Sequence, residues 1–484
     1  MSGAVIAIDA GTTGVCAFAV DDKGAPLGYT YREFPQYFPQ PGWVEHDAEE
    51  IWDAVQTTLA ELRDRLDQPV AAIGITDQRE TTVVWDKKAG RPRHRAIVWQ
   101  DRRTADRCQA LQEAGHLPLV REQTGLVLDP YFSATKLEWL LTEGEVAADD
   151  DLAFGTVDSW VLWNLTGGAD GGVHATDPSN ASRTMLYDIR RRRWSDELCE
   201  LFGVPASCLP EVRPSSGRFG ETADGIAGDQ QAALFGQGCF LPGDAKNTYG
   251  TGSFVLQNVG SECPPPAEGL LTTLGWELSD GTVAYALEGA IFITGAAVQW
   301  LRDGLDIIDD AAESETLART VDDTEGVYVV PAFTGLGSPY WDPYARGTIV
   351  GLTRGVGRGH LARAVLESMA YQTRDVIDAM KAVAGRDVSR LRADGGASAN
   401  DLLLQLQADQ LQIPVVRSAV QETTALGAAY LAGLAEGVWS STDEVAGHWK
   451  AGAEFSPAVP ASVADARHAG WLRAVDRARG WARS

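Results

Sequence analysis

The sequence predicts an α/β protein of two domains, and three observations lead to this prediction. Short apolar runs with the character of strands alternate with amphipathic helices along the chain, which is the pattern of α/β architectures. The length of 484 residues exceeds what one hydrophobic core ordinarily holds. A Gly/Thr-rich turn accompanies an apolar strand in each half, at residues 9–14 and 248–253, and this repetition indicates an internal duplication.

The first half contains the clearest strand and helix signals. The run AVIAID at residues 4–9 predicts a strand that enters a turn. The segment 46–66 carries its apolar residues on one helical face, and Asp47 is predicted as its N-cap. Further strands are predicted at residues 72–77, 81–86 and 96–101.

The second half repeats the theme with longer helices. Residues 246–259 combine the second Gly/Thr turn with a strand, and residues 327–333 predict a buried strand. A long helix is predicted over 360–385 and ends at Gly385. Another helix starts at Asn400, and a last helix spans 424–439 through small residues.

Composition excludes some classes of function. The formal net charge of −26 repels nucleic acid and anionic membranes, although backbone N–H groups and Mg²⁺ still allow a phosphorylated ligand. The six cysteines form no CxxC pair and are read as reduced thiols. The N-terminus lacks a signal-peptide pattern, and no apolar run approaches the ~20 residues of a membrane helix. We therefore expect a cytoplasmic protein without membrane insertion.

Several familiar nucleotide and metal motifs are missing from the sequence. No glycine directly precedes a lysine, which excludes a Walker-A loop, and neither HExxH nor GxGxxG occurs. The Gly-rich turns offer another way to hold phosphate. Asp9 stands at a strand end before Thr12, Thr13 and Gly14, so the turn could wrap a phosphate while the acid holds Mg²⁺ through water. A tight β-hairpin explains the same residues.

Two further segments have the chemistry of a nucleotide site. The turn containing Thr251 resembles the first one, and two such turns favour two loops that clamp one phosphate chain. The segment DGGASAN contains Gly396, whose missing side chain lets a flat base approach the backbone. Asn400 at its end can bond the base or cap the following helix.

Asp229 lies between a glycine and two glutamines at the start of a predicted helix. It could cap that helix. The helix dipole also favours its ionised form, and such a weak base still suits phosphoryl transfer, whose transition state is loose. The adjacent Arg79 and Glu80 offer donors and acceptors for neighbouring hydroxyls of a polyol, or form an exposed ion pair. Trp99 and Tyr131 could pack on a small polyol or belong to the core.

Together these residues give the chain a resemblance to the glycerol kinase family, within the carbohydrate kinases that have an actin-like ATPase fold. The resemblance runs from the first strand to residue 400. It is carried by IDAGTTG, QRETTVVWD, VWQDRRTAD, TGLVLDPYFSATK, DSWVLWNLTGG, ATDPSNASRTMLYDI, GIAGDQQAALFGQ, NTYGTGSF, PAFTGLGSPYWDPYARGTIVGLTRG and DGGASAN.

The resemblance implies a role for each matched residue. The glycerol hydroxyls would be bound by Arg79, Glu80, Tyr131 and Asp229. Trp99 and Phe254 would cover the carbon chain, with help from Gln230. Asp229 would be the general base, and Asp9 with Asp229 would hold Mg²⁺. ATP would be contacted by Thr12, Thr13, Gly14, Thr251, Gly295, Gln299, Gly396 and Asn400.

The resemblance also implies architecture and activity. Two actin-like (ribonuclease H-like) ATPase domains, residues 1–238 and 239–484, would flank a central catalytic cleft. The activity would be ATP-dependent phosphorylation of glycerol to sn-glycerol 3-phosphate, in a homodimer or homotetramer. A kinase for another polyol or a ketose such as xylulose is the alternative enzyme, and an actin-like filament or non-catalytic sugar sensor is the alternative of another class.

The sequence departs from the family pattern near the first turn. Ala10 replaces a glutamine, and Cys16 replaces an arginine that many members place near the nucleotide phosphates. The short segment 215–224 lacks the glycine-rich loop used for fructose-bisphosphate inhibition in some members. No histidine matches the one that a phosphotransfer protein modifies in others. We therefore predict neither form of control.

Overall fold

The computed structural model describes residues 3–482. The first half of the chain forms fifteen strands and eight α-helices, together with two 3-10 turns (Gly168–Asp170 and Ala206–Cys208). The strands are β1 (Ala4–Ala10), β2 (Gly14–Val20), β3 (Pro26–Glu33), β4 (Glu45–His46), β5 (Val70–Asp77), β6 (Val83–Asp86), β7 (Arg91–Pro92), β8 (Ala96–Ile97), β9 (Leu152–Gly155), β10 (Ala175–Thr176), β11 (Tyr187–Asp188), β12 (Arg193–Trp194), β13 (Glu211–Val212), β14 (Ser216–Gly220) and β15 (Ala223–Gly228). The helices are α1 (Ala48–Arg63), α2 (Ala105–Glu113), α3 (Leu117–Thr124), α4 (Ser133–Thr142), α5 (Val157–Leu165), α6 (Pro178–Ala181), α7 (Asp196–Leu201) and α8 (Asp229–Gly236).

The first large sheet has six strands in the order β14-β15-β5-β1-β2-β3. Its three central strands run parallel, with Ala10 of β1 and Gly228 of β15 both in register with Asp77 of β5. The carboxyl ends of parallel strands meet at one edge of a sheet, where ligands bind in open α/β folds. This register therefore brings together the turn after β1, the loop after β5 and Asp229 after β15.

The second half repeats this construction. Its strands are β16 (Ala245–Tyr249), β17 (Ser253–Gly260), β18 (Leu271–Glu277), β19 (Val283–Ile291), β20 (Tyr328–Val330), β21 (Thr348–Val350), β22 (Leu391–Asp394), β23 (Val415–Ser418) and β24 (Ala451–Phe455). Its helices are α9 (Gly295–Asp303), α10 (Glu313–Ala318), α11 (Arg358–Ala384), α12 (Asp401–Leu411), α13 (Thr423–Ala435), α14 (Thr442–His448) and α15 (Ala461–Ala478), with a 3-10 turn at Gly396–Ala399.

The second large sheet has seven strands in the order β18-β19-β17-β16-β22-β23-β24. Strands β16, β22 and β23 run parallel, and β17 returns antiparallel to β16 after the Gly/Thr turn. Thr248 of β16 is in register with Asp394 of β22. The second Gly/Thr turn and the segment that starts at Gly395 therefore lie at the same edge of this sheet.

Helix α13 comes from the second half of the chain but packs on the first sheet. Its backbone lies so close to β5 and β15 that a Cβ on Gly74 would stand 2.3 Å from the Ala428 carbonyl oxygen, and one on Gly225 would stand 2.5 Å from Ala432 N. Helices α13 and α8 cross at equally close range, through Gly427 and Gly236. Glycine is needed at this crossing because any side chain there would meet backbone atoms.

Most sequence-based elements are confirmed, with shorter bounds. Asp47 caps α1 by accepting a hydrogen bond from Glu49 N, and Gly385 ends α11 in the left-handed conformation. The strand predicted over 327–333 is reduced to β20. The helix predicted as the last one is α13, and that prediction is wrong because α14 and α15 follow it. From residue 3 to residue 482, no helix combines the length and apolar character that crossing a bilayer requires.

Candidate active site

A strained turn places Arg79 and Glu80 at the edge of the first sheet. The N–H of Thr81 donates to the Arg79 carbonyl at 2.8 Å across Glu80, whose φ is +62°. A three-residue turn with a positive φ at a non-glycine residue costs about 1–3 kcal/mol and persists only where the surroundings fix it. The hydroxyl of Ser133 does so by donating to the Glu80 carbonyl at 3.0 Å. The side chains of Arg79 and Glu80 are both buried, so the alternative of an exposed ion pair is wrong.

Asp229 is the first residue of α8, directly after the N-cap Gly228. The N-cap position belongs to Gly228, so the hypothesis that Asp229 is the N-cap is wrong, while its predicted position at a helix N-terminus is confirmed. Oδ1 lies 2.9 Å from Arg79 Nε and accepts a hydrogen bond from Gln230 N at 2.7 Å. The side chain retains 30% exposure. A carboxylate with one oxygen held by neighbours and part of its surface open to solvent can meet an incoming hydroxyl.

Arg79 lies at the centre of a buried ionic network. Its guanidinium donates two bonds to the Glu288 carboxylate, at 2.6 and 3.1 Å, and one to Tyr131 Oη at 3.3 Å. Arg183 joins the network by donating to Glu80 at 2.6 Å and to Glu288 at 2.9 Å. Burial raises the pKa of Glu80 above its ordinary value, and the two guanidinium groups only partly oppose this. The network presents fixed charges to Asp229.

Three aromatic side chains surround this charged centre. The ring of Trp99 lies 5.7 Å from that of Tyr131 and 6.4 Å from that of Phe254, both edge-on. The Arg79 guanidinium carbon lies 5.6 Å from the Phe254 ring centre. Trp99 Nε1 donates to Thr12 Oγ1 at 2.9 Å, which connects the aromatic wall to the first Gly/Thr turn. Apolar walls around a few polar groups are the usual form of a small-ligand site.

The second half supplies a separate cavity of about 460 Å³ at the edge of its sheet. Five of the residues predicted to contact nucleotide line it together: Thr251, Gly295, Gln299, Gly396 and Asn400. A Cβ on Gly396 would meet no atom within 4 Å, so the backbone there is open to the cavity. Asn400 Oδ1 caps α12 by accepting from Leu403 N at 2.9 Å, so this residue is a helix cap at the cavity wall.

The remaining predicted nucleotide residues lie on the first half. Thr13 and Gly14 line a concavity with Asp9 and Cys16, and the turn is also the hairpin between β1 and β2. Both sequence interpretations of this turn are therefore compatible with the geometry. Burial, with the nearby carboxylates of Asp229 and Glu422, raises the pKa of Asp9 to about 8.

Carboxylates gathered at Asp9 have the donor chemistry that Mg²⁺ prefers. Within the described range 3–482, no cluster of three or more His, Cys, Asp or Glu side chains could hold a metal by itself. Mg²⁺ commonly binds through one or two carboxylates together with substrate phosphates. Asp9 and Asp229 therefore fit an ion that arrives with a nucleotide.

Three site residues escaped the sequence reasoning. Arg183 and Glu288 complete the ionic network, and the fully buried Lys246 donates to Gln230 Oε1 at 2.5 Å. Burial lowers the pKa of Lys246 to about 8. A signal existed for Glu288, because it is the only charged residue of the strand VAYALEGAI and charged residues are almost never fully buried unless paired.

Comparisons with known proteins agree with this architecture. The N-terminal domain of the FGGY family of carbohydrate kinases matches residues 4–236, and the C-terminal domain matches residues 245–436. Curated relatives include glycerol kinases from Symbiobacterium thermophilum, at 56% identity over 99% of both chains, and from Carboxydothermus hydrogenoformans, at 54% identity over 99% of this chain and 98% of that one.

Solved structures of carbohydrate kinases have the same fold as this chain. Plasmodium falciparum glycerol kinase with ADP superposes with a TM-score of 0.90 at 32% identity, over 98% of each chain. Gluconate kinase from Lactobacillus acidophilus shares the fold, with a TM-score of 0.87 at 21% identity over 99% of this chain and 98% of that one. The chain therefore belongs to the FGGY family of carbohydrate kinases and has their two-domain, actin-like ATPase fold.

Proposed function

We propose that this protein phosphorylates glycerol with ATP to give sn-glycerol 3-phosphate. One observation carries the proposal: Asp229, partly open to solvent, stands against Arg79 inside an enclosure formed by Glu80, Tyr131, Trp99 and Phe254. This enclosure suits a short polyol, because donors and acceptors for hydroxyls alternate with apolar walls. The names of the curated relatives support the same substrate.

Asp229 would act as the general base. It would accept the proton of the hydroxyl that attacks the γ-phosphorus, a role generally worth ~10²–10⁴-fold. The Arg79 guanidinium next to Asp229 Oδ1 would hold the carboxylate in place, so that its other oxygen, Oδ2, faces the substrate. The base can be weak, because little negative charge develops on the attacking oxygen in a loose transition state.

The two halves would hold the two substrates. Arg79, Glu80, Tyr131 and Asp229 would bind the hydroxyls of glycerol, assisted by Gln230. Trp99 and Phe254 would cover its carbons. The cavity of the second half would take the nucleoside of ATP, while the turns containing Thr12 and Thr251 would donate N–H groups to its phosphates. Closure of the cleft would exclude water from the γ-phosphate.

Mg²⁺ would be held by Asp9 and Asp229, and when bound it neutralises phosphate charge.

The domain division at residues 238/239 is supported by the end of α8 at Gly236 and the start of β16 at Ala245. The homodimer or homotetramer expected from the resemblance remains part of the proposal, and light scattering of the purified protein would test it.

ADP release with a panel of acceptors tests the substrate. We expect turnover with glycerol and ATP, and little with xylulose, gluconate or water. Xylulose-dependent release without glycerol-dependent release would contradict the proposal. Polymerisation on ATP addition without any acceptor-dependent turnover would instead favour the filament alternative.

The variant Asp229→Asn tests the base. We expect kcat to fall by ~10²–10⁴-fold with unchanged folding, because Asn keeps a side-chain oxygen that can accept the hydrogen bond from Gln230 N. Asp196 provides a matched control, since it is also the first residue of a helix, α7, and is exposed. Asp196→Asn should keep full activity. If Asp229→Asn folds and keeps wild-type kcat, the assignment of the base is wrong.

A further inference from the structure

Glu288 is a fully buried carboxylate in the middle of β19, a strand of the second sheet. Its two oxygens accept three hydrogen bonds, two from Arg79 and one from Arg183. Burial alone would raise the pKa of this carboxyl, but the guanidinium groups of Arg183 and Arg79 lower it below its ordinary value. The side chain is therefore an ionised bridge between two arginines of the first half.

The bridge determines which way the Arg79 guanidinium faces. A bidentate carboxylate fixes the plane of a guanidinium as well as its position. With Glu288 on its two terminal nitrogens, Arg79 keeps Nε in an ion pair 2.9 Å from Asp229 Oδ1, without hydrogen-bond geometry, and one terminal nitrogen also donates to Tyr131. Without Glu288, Asp229 would be the nearest remaining carboxylate to Arg79, because Glu80 lies 3.9 Å away.

The same strand also places the apolar wall. Residue 290 of β19 pairs with Phe254 of β17, and residue 288 pairs with Leu256. Glu288 therefore holds Arg79 at a set distance from the ring of Phe254, which lies 5.6 Å from the guanidinium carbon. One strand thus relates the polar and apolar sides of the enclosure to each other.

We propose that Glu288 is a positioning residue for the polyol: by bridging Arg79 and Arg183 it orients the Arg79 guanidinium toward Asp229 and the substrate hydroxyls. The inference rests on the proposed function, because it concerns the same site. It differs from a purely structural role, since a stabilising ion pair would change unfolding without selectively changing polyol binding.

The variant Glu288→Gln tests this. It keeps the size of the side chain but loses the negative charge and one acceptor oxygen. We expect KM for glycerol to rise at least 10-fold while KM for ATP stays within about twofold, because the nucleotide cavity lies elsewhere. The increase in melting temperature that glycerol gives the wild type should be lost, and the increase given by ATP should be kept.

Glu367 offers a matched control. It is buried too, and its carboxylate is paired with Arg363 at 3.0 Å and Tyr371 at 2.8 Å on α11. Glu367→Gln should lower the melting temperature without changing KM for glycerol. If Glu288→Gln behaves as this control does, the inference is wrong and Glu288 only stabilises the fold.

Glu288→Gln removes a carboxylate that compensates the buried charges of Arg79 and Arg183, and this loss can prevent folding. A second variant covers that case. Glu288→Asp keeps the charge but shortens the bridge by one methylene, and it should fold and raise KM for glycerol at least threefold. A wild-type KM in that variant would overturn the inference. Absence of glycerol-dependent turnover in the wild type would overturn the proposed function, and this inference with it.

Discussion

The crossing of α8 and α13 provides the most demanding prediction, because it couples the packing of two helices to the position of the proposed base. A Cβ added to Gly427 would lie 1.8 Å from the carbonyl oxygen of Ala232. Ala232 belongs to α8, one turn after Asp229. We therefore expect Gly427→Ala to displace the helix that carries Asp229.

The size of the effect follows from this distance. Restoring ordinary van der Waals contact requires the two helices to separate by about 1.7 Å, because non-bonded atoms approach to roughly 3.5 Å. A displacement of about 1 Å at a reacting group can cost ~10²-fold in rate. Overpacking of a well-packed interior costs about 1–3 kcal/mol of stability. We expect kcat to fall about 100-fold and the melting temperature to fall by several degrees.

The assay is ADP release at saturating glycerol and ATP, together with a thermal melt. Gly447→Ala is the control, because a Cβ at that position in α14 would meet no atom within 4 Å. It should leave kcat unchanged and stabilise slightly, since alanine is the better helix former by about 1 kcal/mol. A Gly427→Ala variant with wild-type kcat and melting temperature would refute the reasoning.

Three further predictions concern other parts of the molecule. Burial lowers the pKa of His46 to about 4, so between pH 6.5 and 4 only the unfolded state gains the proton, and the free energy of unfolding falls by up to about 1.4 kcal/mol per pH unit. Denaturant titrations over this pH range should show a smaller loss of unfolding free energy for His46→Gln than for the wild type. An equal loss would contradict this. Asn400→Ser keeps a helix cap whereas Asn400→Ala loses about 1 kcal/mol; both should raise KM for ATP, and only Ala should lower the melting temperature. Lys136 Nζ donates to the carbonyls of residues 130–132 at 3.1, 2.6 and 3.1 Å. Lys136→Met should therefore displace Tyr131 and raise KM for glycerol several-fold. An unchanged KM would show that Lys136 does not position Tyr131 for the substrate.

Much of the fold was predictable because its signals are local. Periodicity and caps identify α1 and α11, and the Gly/Thr turns identify the hairpins that begin each sheet. The close packing of α13 on the first sheet was not predictable. It depends on glycines at 74, 225, 236 and 427, and nothing in the local sequence says that these four positions lie where α13 meets β5, β15 and α8.

The candidate active site was likewise predictable only in part. Motifs around Asp9, Asp229 and Thr251 indicated phosphate chemistry, because turns of small residues with free N–H groups beside a carboxylate can hold a phosphate and its Mg²⁺. The burial of Arg79 and Glu80 could not be inferred from the pair itself. It depends on Arg183 and Glu288, which lie more than 100 residues away in the chain, and adjacent opposite charges are usually exposed.

The position of α13 has a consequence for what the first half of the chain can do when separated from the second. One apolar cluster includes Val5, Ala72 and Ala227 from the first sheet together with Leu426 and Leu431 from α13. A fragment that stops after residue 238 would leave that face of its sheet in water, and we expect it to aggregate or remain unfolded. Adding residues 423–435 as a separate peptide should recover soluble material. We therefore expect the N-terminal FGGY domain to need α13 from the second half in order to fold.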